Sequence, residues 1–257
     1  MKLFIRYQAT DTWTTATGWL SRDDLVVTAA HCVLNGDQHA TCVRVHIGYS
    51  ASSEGTGASS DNQRSVARIA LPSAWSDAKA EQSDIAFLQL DRPFQGVTPI
   101  KYDTPGTEVQ QQLTVIGYPA DLGARSGSPG GEMYYVKIRR EIDLEPTSGN
   151  MLVYRGDSQG GKQILLVIPL DNELTVALAR PGLSGAPIIR DNDFVAIGVH
   201  VRGGSFNFGA VIGGPFGVNF HVYEEALRIS GQGSQLEFTT EVNTDINKEW
   251  LNYMHVH

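Results

Sequence analysis

Three short segments of this 257-residue chain carry residue types that together could turn a serine hydroxyl into a nucleophile. Thr28-Ala29-Ala30-His31-Cys32 follows the apolar run Leu25-Val26-Val27, and Ser83-Asp84 leads into Ile85-Ala86-Phe87-Leu88-Gln89-Leu90. Pro181-Gly182-Leu183-Ser184-Gly185-Ala186-Pro187 sets a serine among glycines. A hydroxyl is a poor nucleophile until a base takes its proton, and that base needs a third group to hold its tautomer. Residues distant in sequence must therefore converge. His31 is the candidate base, Asp84 the orienting carboxylate and Ser184 the nucleophile. The α/β-hydrolase order is Ser, Asp, His, with the serine ahead of a helix. Here the order is His, Asp, Ser and Ser184 leads into an apolar run, which makes an esterase of that kind the weaker reading.

Each residue also has a plainer use. A histidine beside a cysteine can simply pack, a Ser-Asp pair can cap a turn, and a serine between glycines can sit in one. Asp77 and Asp91 compete with Asp84 but lack the apolar run that follows it. Ser158, in Gly156-Asp157-Ser158-Gln159-Gly160-Gly161, competes with Ser184. It has Gln159 where a glycine would serve the turn, lacks a following proline, and sits between two apolar runs as a hairpin tip would.

The elements that must position these residues read as strands. Short apolar runs bounded by Gly, Pro, Asn and Asp recur at Leu25 to Ala29, Val43 to Ile47, Ile85 to Leu90 and Leu113 to Ile116. Others follow at Tyr134 to Ile138, Met151 to Tyr154, Ile164 to Ile168, Pro187 to Ile189 and Phe194 to Val201. This spacing predicts an all-β sandwich or barrel. Ser- and Gly-rich stretches at Ser50 to Ser60 and Gly123 to Gly131 read as loops between strands. Val222 to Ile229 is the best helical candidate, and the polar stretch ending Trp250-Leu251-Asn252-Tyr253 is either a docked tail or a second short helix.

Composition narrows the function. Acidic side chains outnumber basic ones, 28 to 20, for a net charge of −8, and no Lys/Arg cluster suits a phosphate backbone, so a nucleic-acid partner is excluded. No run approaches a membrane span. Arg6 and Gln8 interrupt the N-terminal run before a signal-peptide core develops, so Met1 to Gln8 reads as a first strand. The chain then reads as intracellular or as the mature form of a secreted protein. Two cysteines, Cys32 and Cys42, allow one short bridge or two free thiols.

The segments around His31, Asp84 and Ser184 resemble the three motifs of trypsin-like serine proteases. Ile116-Gly117-Tyr118-Pro119, Ala196 to Gly204, Gly209-Ala210-Val211 and Val218-Asn219 are similar to the glutamyl endopeptidase branch, the staphylococcal V8-like enzymes. The resemblance spans roughly Thr17 to Ile229. It implies two six-stranded antiparallel β-barrels with a C-terminal helix in one peptidase domain. The N-terminal barrel would cover about 1–105, the C-terminal barrel about 106–220, and the helix and tail about 221–257. It also implies an oxyanion hole from the N–H groups of Gly182 and Ser184, peptide hydrolysis without cofactor or metal, and protein or peptide substrates for a monomer with no membrane partner.

For the substrate pocket the resemblance implies His200, Ala179, Arg180, Val201 and Arg202. A histidine at the position of His200 helps bind a glutamate side chain in that branch. Strand alternation puts Val195, Ile197, Val199 and Val201 on the core face and Ala196, Gly198, His200 and Arg202 toward a cleft. Ala179 stands where the branch carries threonine, and Arg180 or Arg202 could supply the missing positive charge for an acidic side chain. Leu178 replaces the aspartate that gives trypsins their basic preference. Leu183 replaces the aspartate that pairs with a newly cut N-terminus. The rival of another class is a catalytically inactive protease homologue acting as a binding module.

Overall fold

The computed structural model describes residues 1–8, 12–50, 60–105, 112–120, 131–142, 151–155, 182–203, 207–214, 217–228 and 237–239. Before residue 91 the strands are β1 (Lys2–Arg6), β2 (Thr14–Thr17), β3 (Trp19–Arg22), β4 (Leu25–Thr28), β5 (Leu34–Asn35), β6 (Gln38–His39), β7 (Cys42–His46), β8 (Gln63–Ala70) and β9 (Ala86–Leu90). All four residues of β4 are buried, and the strand accordingly lies inside the sheet, between β3 and β9. The sheet runs β2-β1-β7-β8-β9-β4-β3 with antiparallel neighbours throughout. β5 and β6 form a small separate hairpin.

The second half is a closed antiparallel barrel of six strands: β10 (Gln112–Gly117), β11 (Tyr134–Ile142), β12 (Leu152–Arg155), β13 (Pro187–Arg190), β14 (Val195–Arg202) and β15 (Asn207–Val211). Their order around the barrel is β10-β11-β12-β15-β14-β13. A last strand, β16 (Glu237–Thr239), crosses back to lie parallel to β8 in the first sheet. Two curled β-sheets with few helices thus make the double-barrel architecture expected from the sequence. The run Ile164 to Ile168 and the tail around Trp250 lie outside the described residues.

Each half has its own apolar filling. Leu113, Val115, Leu152, Ile188 and Ile197 fill the barrel. The other core centres on Leu3, Val27, Ile69 and Phe87, and it continues to Val199 and Phe220, so it also seals the junction of the halves. Helix α2 (Phe220–Arg228) begins two residues before the helix predicted at Val222. Its apolar stripe packs on the first sheet, with Phe220 stacked 6.0 Å from Trp19 and Tyr223 stacked 4.7 Å from Phe87. A six-residue helix, α1 (Ser73–Ala78), is too short to show a periodic apolar face and was not foreseen.

Cys32 and Cys42 are both free. Of the two options left open, two thiols is the outcome. Cys42 opens β7 opposite Arg6 of β1, whereas Cys32 sits in the turn after β4 and borders the cavity beside His31.

Candidate active site

Strand pairing brings the base and its carboxylate together. β4 pairs with β9 in a register that sets Thr28 opposite Ala86, and His31 follows Thr28 by three residues while Asp84 precedes Ala86 by two. Both leave the same end of the sheet. His31 lies in a single 3-10 turn, Ala30–Cys32, and Asp84 follows another, Glu81–Ser83. Asp84 Oδ2 is 2.7 Å from His31 Nδ1, and its Oδ1 accepts the His31 backbone N–H at 2.8 Å. A carboxylate only accepts, so Nδ1 carries a proton, and whenever the ring is neutral its lone pair is on Nε2.

Asp84 is only 4% exposed, and these two bonds satisfy an otherwise costly buried charge. Trp75 of α1 flanks the imidazole, its ring centroid 6.4 Å away. Burial presses the His31 pKa down, but the Cys32 sulfur and the Asp84 carboxylate outweigh it, and the net shift is upward from the ordinary 6.5.

The turn bearing Ser184 is built on two glycines with φ of +89° at Gly182 and +87° at Gly185. That left-handed backbone strains any other residue. A Cβ at Gly182 would also meet Tyr118 O at 2.4 Å, and one at Gly185 would meet Thr17 O and Thr28 Oγ1 at 2.1 Å. Within the turn the Ala186 N–H donates to Leu183 O at 2.9 Å. Strand β14 grips one side: Gly185 N–H donates to His200 O and His200 N–H to Ala186 O, each at 2.8 Å. Strand β2 grips the other, Thr17 N–H donating to Ser184 O at 3.0 Å and Thr17 Oγ1 to Gly182 O at 2.7 Å.

The turn's carbonyls are thus drawn into the protein. Among the described residues the N–H groups of Gly182 and Ser184 donate to no acceptor. A cavity of about 220 Å3 opens on this point, lined by His31, Gly182 and Ser184 and continuing past Cys32 and Tyr7 along Thr14 to Ala16 of β2.

The expected pocket residues divide. His200 is buried, 2% exposed, with Nδ1 2.5 Å from the Tyr154 hydroxyl. Burial, then the nearby His31, push its pKa down to about 4. Simple alternation had aimed this side chain at an open cleft. In the structure Gly198, Val199 and His200 pair in unbroken register with Val211, Ala210 and Gly209 of β15, which sets His200 on the face opposite Val199, where it meets Tyr154.

Val201 is buried. Arg202 is already engaged, its guanidinium paired with Glu81 at 3.0 Å and lying 3.6 Å over the Phe208 ring. Leu183 is buried in the barrel core. Ala179 and Arg180 lie outside the described residues, as do Leu178 and the competing Ser158. No group of three His, Cys, Asp or Glu among the described residues could hold a metal ion, and no helix among them is long and apolar enough to cross a membrane.

Thr17, Trp75 and Tyr154 surround the site without belonging to any motif. Only Tyr154 lay in a run singled out as a strand, and nothing local marked its hydroxyl. Contact with partners distant in sequence gives all three their place.

A sequence model of the trypsin family matches residues 3–163. No curated protein sequence matches the chain. Solved structures with this fold include a Glu endopeptidase, 15% identical with a TM-score of 0.61, the match covering 89% of this chain and 90% of that one. A thermostable serine protease, AL20, from an extremophilic microorganism is 17% identical with the same TM-score, covering 89% and 96%. The protease Anisep from Arthrobacter nicotinovorans is 16% identical with a TM-score of 0.60, covering 89% and 94%.

Proposed function

Because the chain belongs to the trypsin family and is a serine endopeptidase, we propose that it cleaves peptide bonds through an acyl-enzyme on Ser184, with a preference for an acidic residue before the scissile bond. The observation that carries this reading is the His31 imidazole, held at two points by Asp84, beside the cavity that Ser184 also lines.

Ser184 Oγ attacks the scissile carbonyl carbon, its proton passes to His31 Nε2, and the carbonyl π pair moves onto oxygen. The N–H groups of Gly182 and Ser184 receive that oxyanion, a stabilisation worth roughly 3 kcal/mol per donor. Collapse of the adduct breaks the C–N bond, and His31 gives its proton to the leaving amine. Water repeats the sequence and frees Ser184. Asp84 fixes the imidazole tautomer and stabilises the imidazolium formed in both halves of the cycle.

The acidic preference rests on His200. Burial pushes the Tyr154 phenol well above its ordinary pKa of 10, so it stays protonated. Among the described residues its O–H has no acceptor other than His200 Nδ1, so it donates there and the ring proton sits on Nε2. With a pKa near 4, His200 is neutral at working pH and offers a single N–H to a substrate oxygen. The Glu endopeptidase structure shares this fold at low identity, and the preference stands on His200 and the motif resemblance.

A fluorophosphonate probe followed by peptide mass mapping tests the reading. Stoichiometric labelling of Ser184 is expected, lost in Ser184→Ala and His31→Ala and retained in Ser158→Ala. A label on Ser158 moves the nucleophile, and no label at all returns the chain to an inert binding module. A peptide library then reads specificity, and cleavage after aromatic or basic residues overturns the acidic preference.

A further inference from the structure

Thr17, at the end of β2, is 1% exposed and uses every polar atom it has. Its hydroxyl donates to Gly182 O at 2.7 Å and accepts the Tyr118 N–H at 2.9 Å. Its own N–H donates to Ser184 O at 3.0 Å, and its carbonyl accepts the Thr28 hydroxyl at 2.8 Å. One residue of the first sheet thereby joins the nucleophile turn, the exit of β10 and the strand that leads to His31.

The geometry of these bonds is specific to one peptide. The Ser184 N–H belongs to the peptide between Leu183 and Ser184. The peptide planes on either side of it contain the Gly182 and Ser184 carbonyls, and Thr17 holds both. With those planes fixed, and Leu183 O held by Ala186 N–H, the Ser184 N–H has one direction left to it. We infer that Thr17 is a positioning residue that sets the oxyanion-binding peptide of Ser184 through its side-chain hydroxyl.

This rests on the proposed acyl-enzyme chemistry and adds a determinant from the opposite half of the molecule. Valine matches threonine in shape but neither donates nor accepts, so Thr17→Val strands Gly182 O and Tyr118 N–H in a buried site. Both peptides then tilt to find partners. A misplacement of about 1 Å in a preorganised site costs on the order of 100-fold in rate.

The test compares Thr17→Val, Thr17→Ala and Thr17→Ser with the wild-type chain, with active sites counted by fluorophosphonate labelling. Readouts are kcat and KM on a peptide amide and the inhibition constant of a matching peptide aldehyde. The aldehyde forms a hemiacetal: the Ser184 Oγ–C bond forms, the carbonyl pair moves to the oxygen in the hole, and the serine proton passes to His31. Thr17→Val is expected to lower kcat 10- to 100-fold with KM within twofold, to weaken the aldehyde by a matching factor, and to leave substrate binding intact. Thr17→Ser, which keeps the hydroxyl, is expected within threefold of wild type. If the valine chain does not fold, Thr17→Ala carries the same expectation.

A kcat within twofold of wild type in the hydroxyl-free variants overturns the inference. So does a serine variant as impaired as valine, or a rise in KM without weaker aldehyde binding. An inactive wild-type chain would instead strike the proposed function.

Discussion

Asp84→Asn tests the site at its most constrained point. Asp84 accepts two hydrogen bonds from one residue, the His31 backbone N–H at 2.8 Å and the ring Nδ1–H at 2.7 Å. An amide has the same shape but only one acceptor. The backbone N–H can only donate, so the amide oxygen must face it. The amide NH2 then takes the place of Oδ2 and points its proton at Nδ1. The ring must answer as acceptor, its proton moves to Nε2, and the lone pair that should receive the Ser184 proton is gone. A tautomer error of this kind costs about 10^4-fold in kcat in triad hydrolases, or roughly 5 kcal/mol of transition-state stabilisation.

The fold should survive, because the amide keeps both contacts in altered polarity; a loss of about 1–3 kcal/mol is expected. The assay is kcat on a peptide amide alongside thermal unfolding followed by circular dichroism. A folded variant within tenfold of wild type would refute the assignment of Asp84, and with it the argument that His31 needs a fixed tautomer.

The pKa shifts predict opposed pH profiles. His31 must be neutral to act as base and its pKa is raised, so the acid limb of kcat/KM should lie above pH 6.5; a limb at or below 6.5 contradicts the pairing. For stability, folded His31 holds its proton more tightly than the unfolded chain, so its contribution is complete below about pH 6.5 and is lost as pH rises through the raised value. His200 works the other way. Its pKa falls to about 4, so the unfolded chain binds more protons between 4 and 6.5 and stability drops as pH falls through that window. Denaturant titrations across pH should therefore show greatest stability near 6.5.

Tyr154→Phe leaves buried Nδ1 of His200 without its donor; a cost of about 1–3 kcal/mol and a weakened acidic preference are expected in unfolding and library assays, and an unchanged profile would separate Tyr154 from specificity. Gly185→Ala places a methyl 2.1 Å from Thr17 O at a φ of +87°, so about 3 kcal/mol or more of stability and most activity should be lost; a fully active, equally stable variant would mean the turn is looser than described.

Parts of the fold that depend on local apolar pattern were legible. β4, β9, β10 and β13 are short apolar runs bounded by turn residues, and each formed where the pattern put it. β2 and β8 were not singled out because their sequences, TTAT and QRSVARIA, mix polar and apolar positions without a clean period. β16 is three residues long and owes its existence to β8. What could not be read for His200 is its partner, since the Tyr154 hydroxyl that it meets lies 46 positions away and nothing local marks it.

The site shows the same division. His31 and Asp84 could be paired from sequence because each adjoins a buried strand, and neighbouring strands carry both to one end of a sheet. Ser184 depends on something else. Its turn is gripped by β14 through His200 and by β2 through Thr17, whose hydroxyl reaches a carbonyl 165 positions away. No motif encodes that second grip, since a threonine in a short polar strand carries no local sign of what it will touch. The orientation of the nucleophile is thus a property of how the two halves dock. Substitutions along β2 or at the junction core around Val199 and Phe220 should then alter kcat while every recognisable motif stays intact.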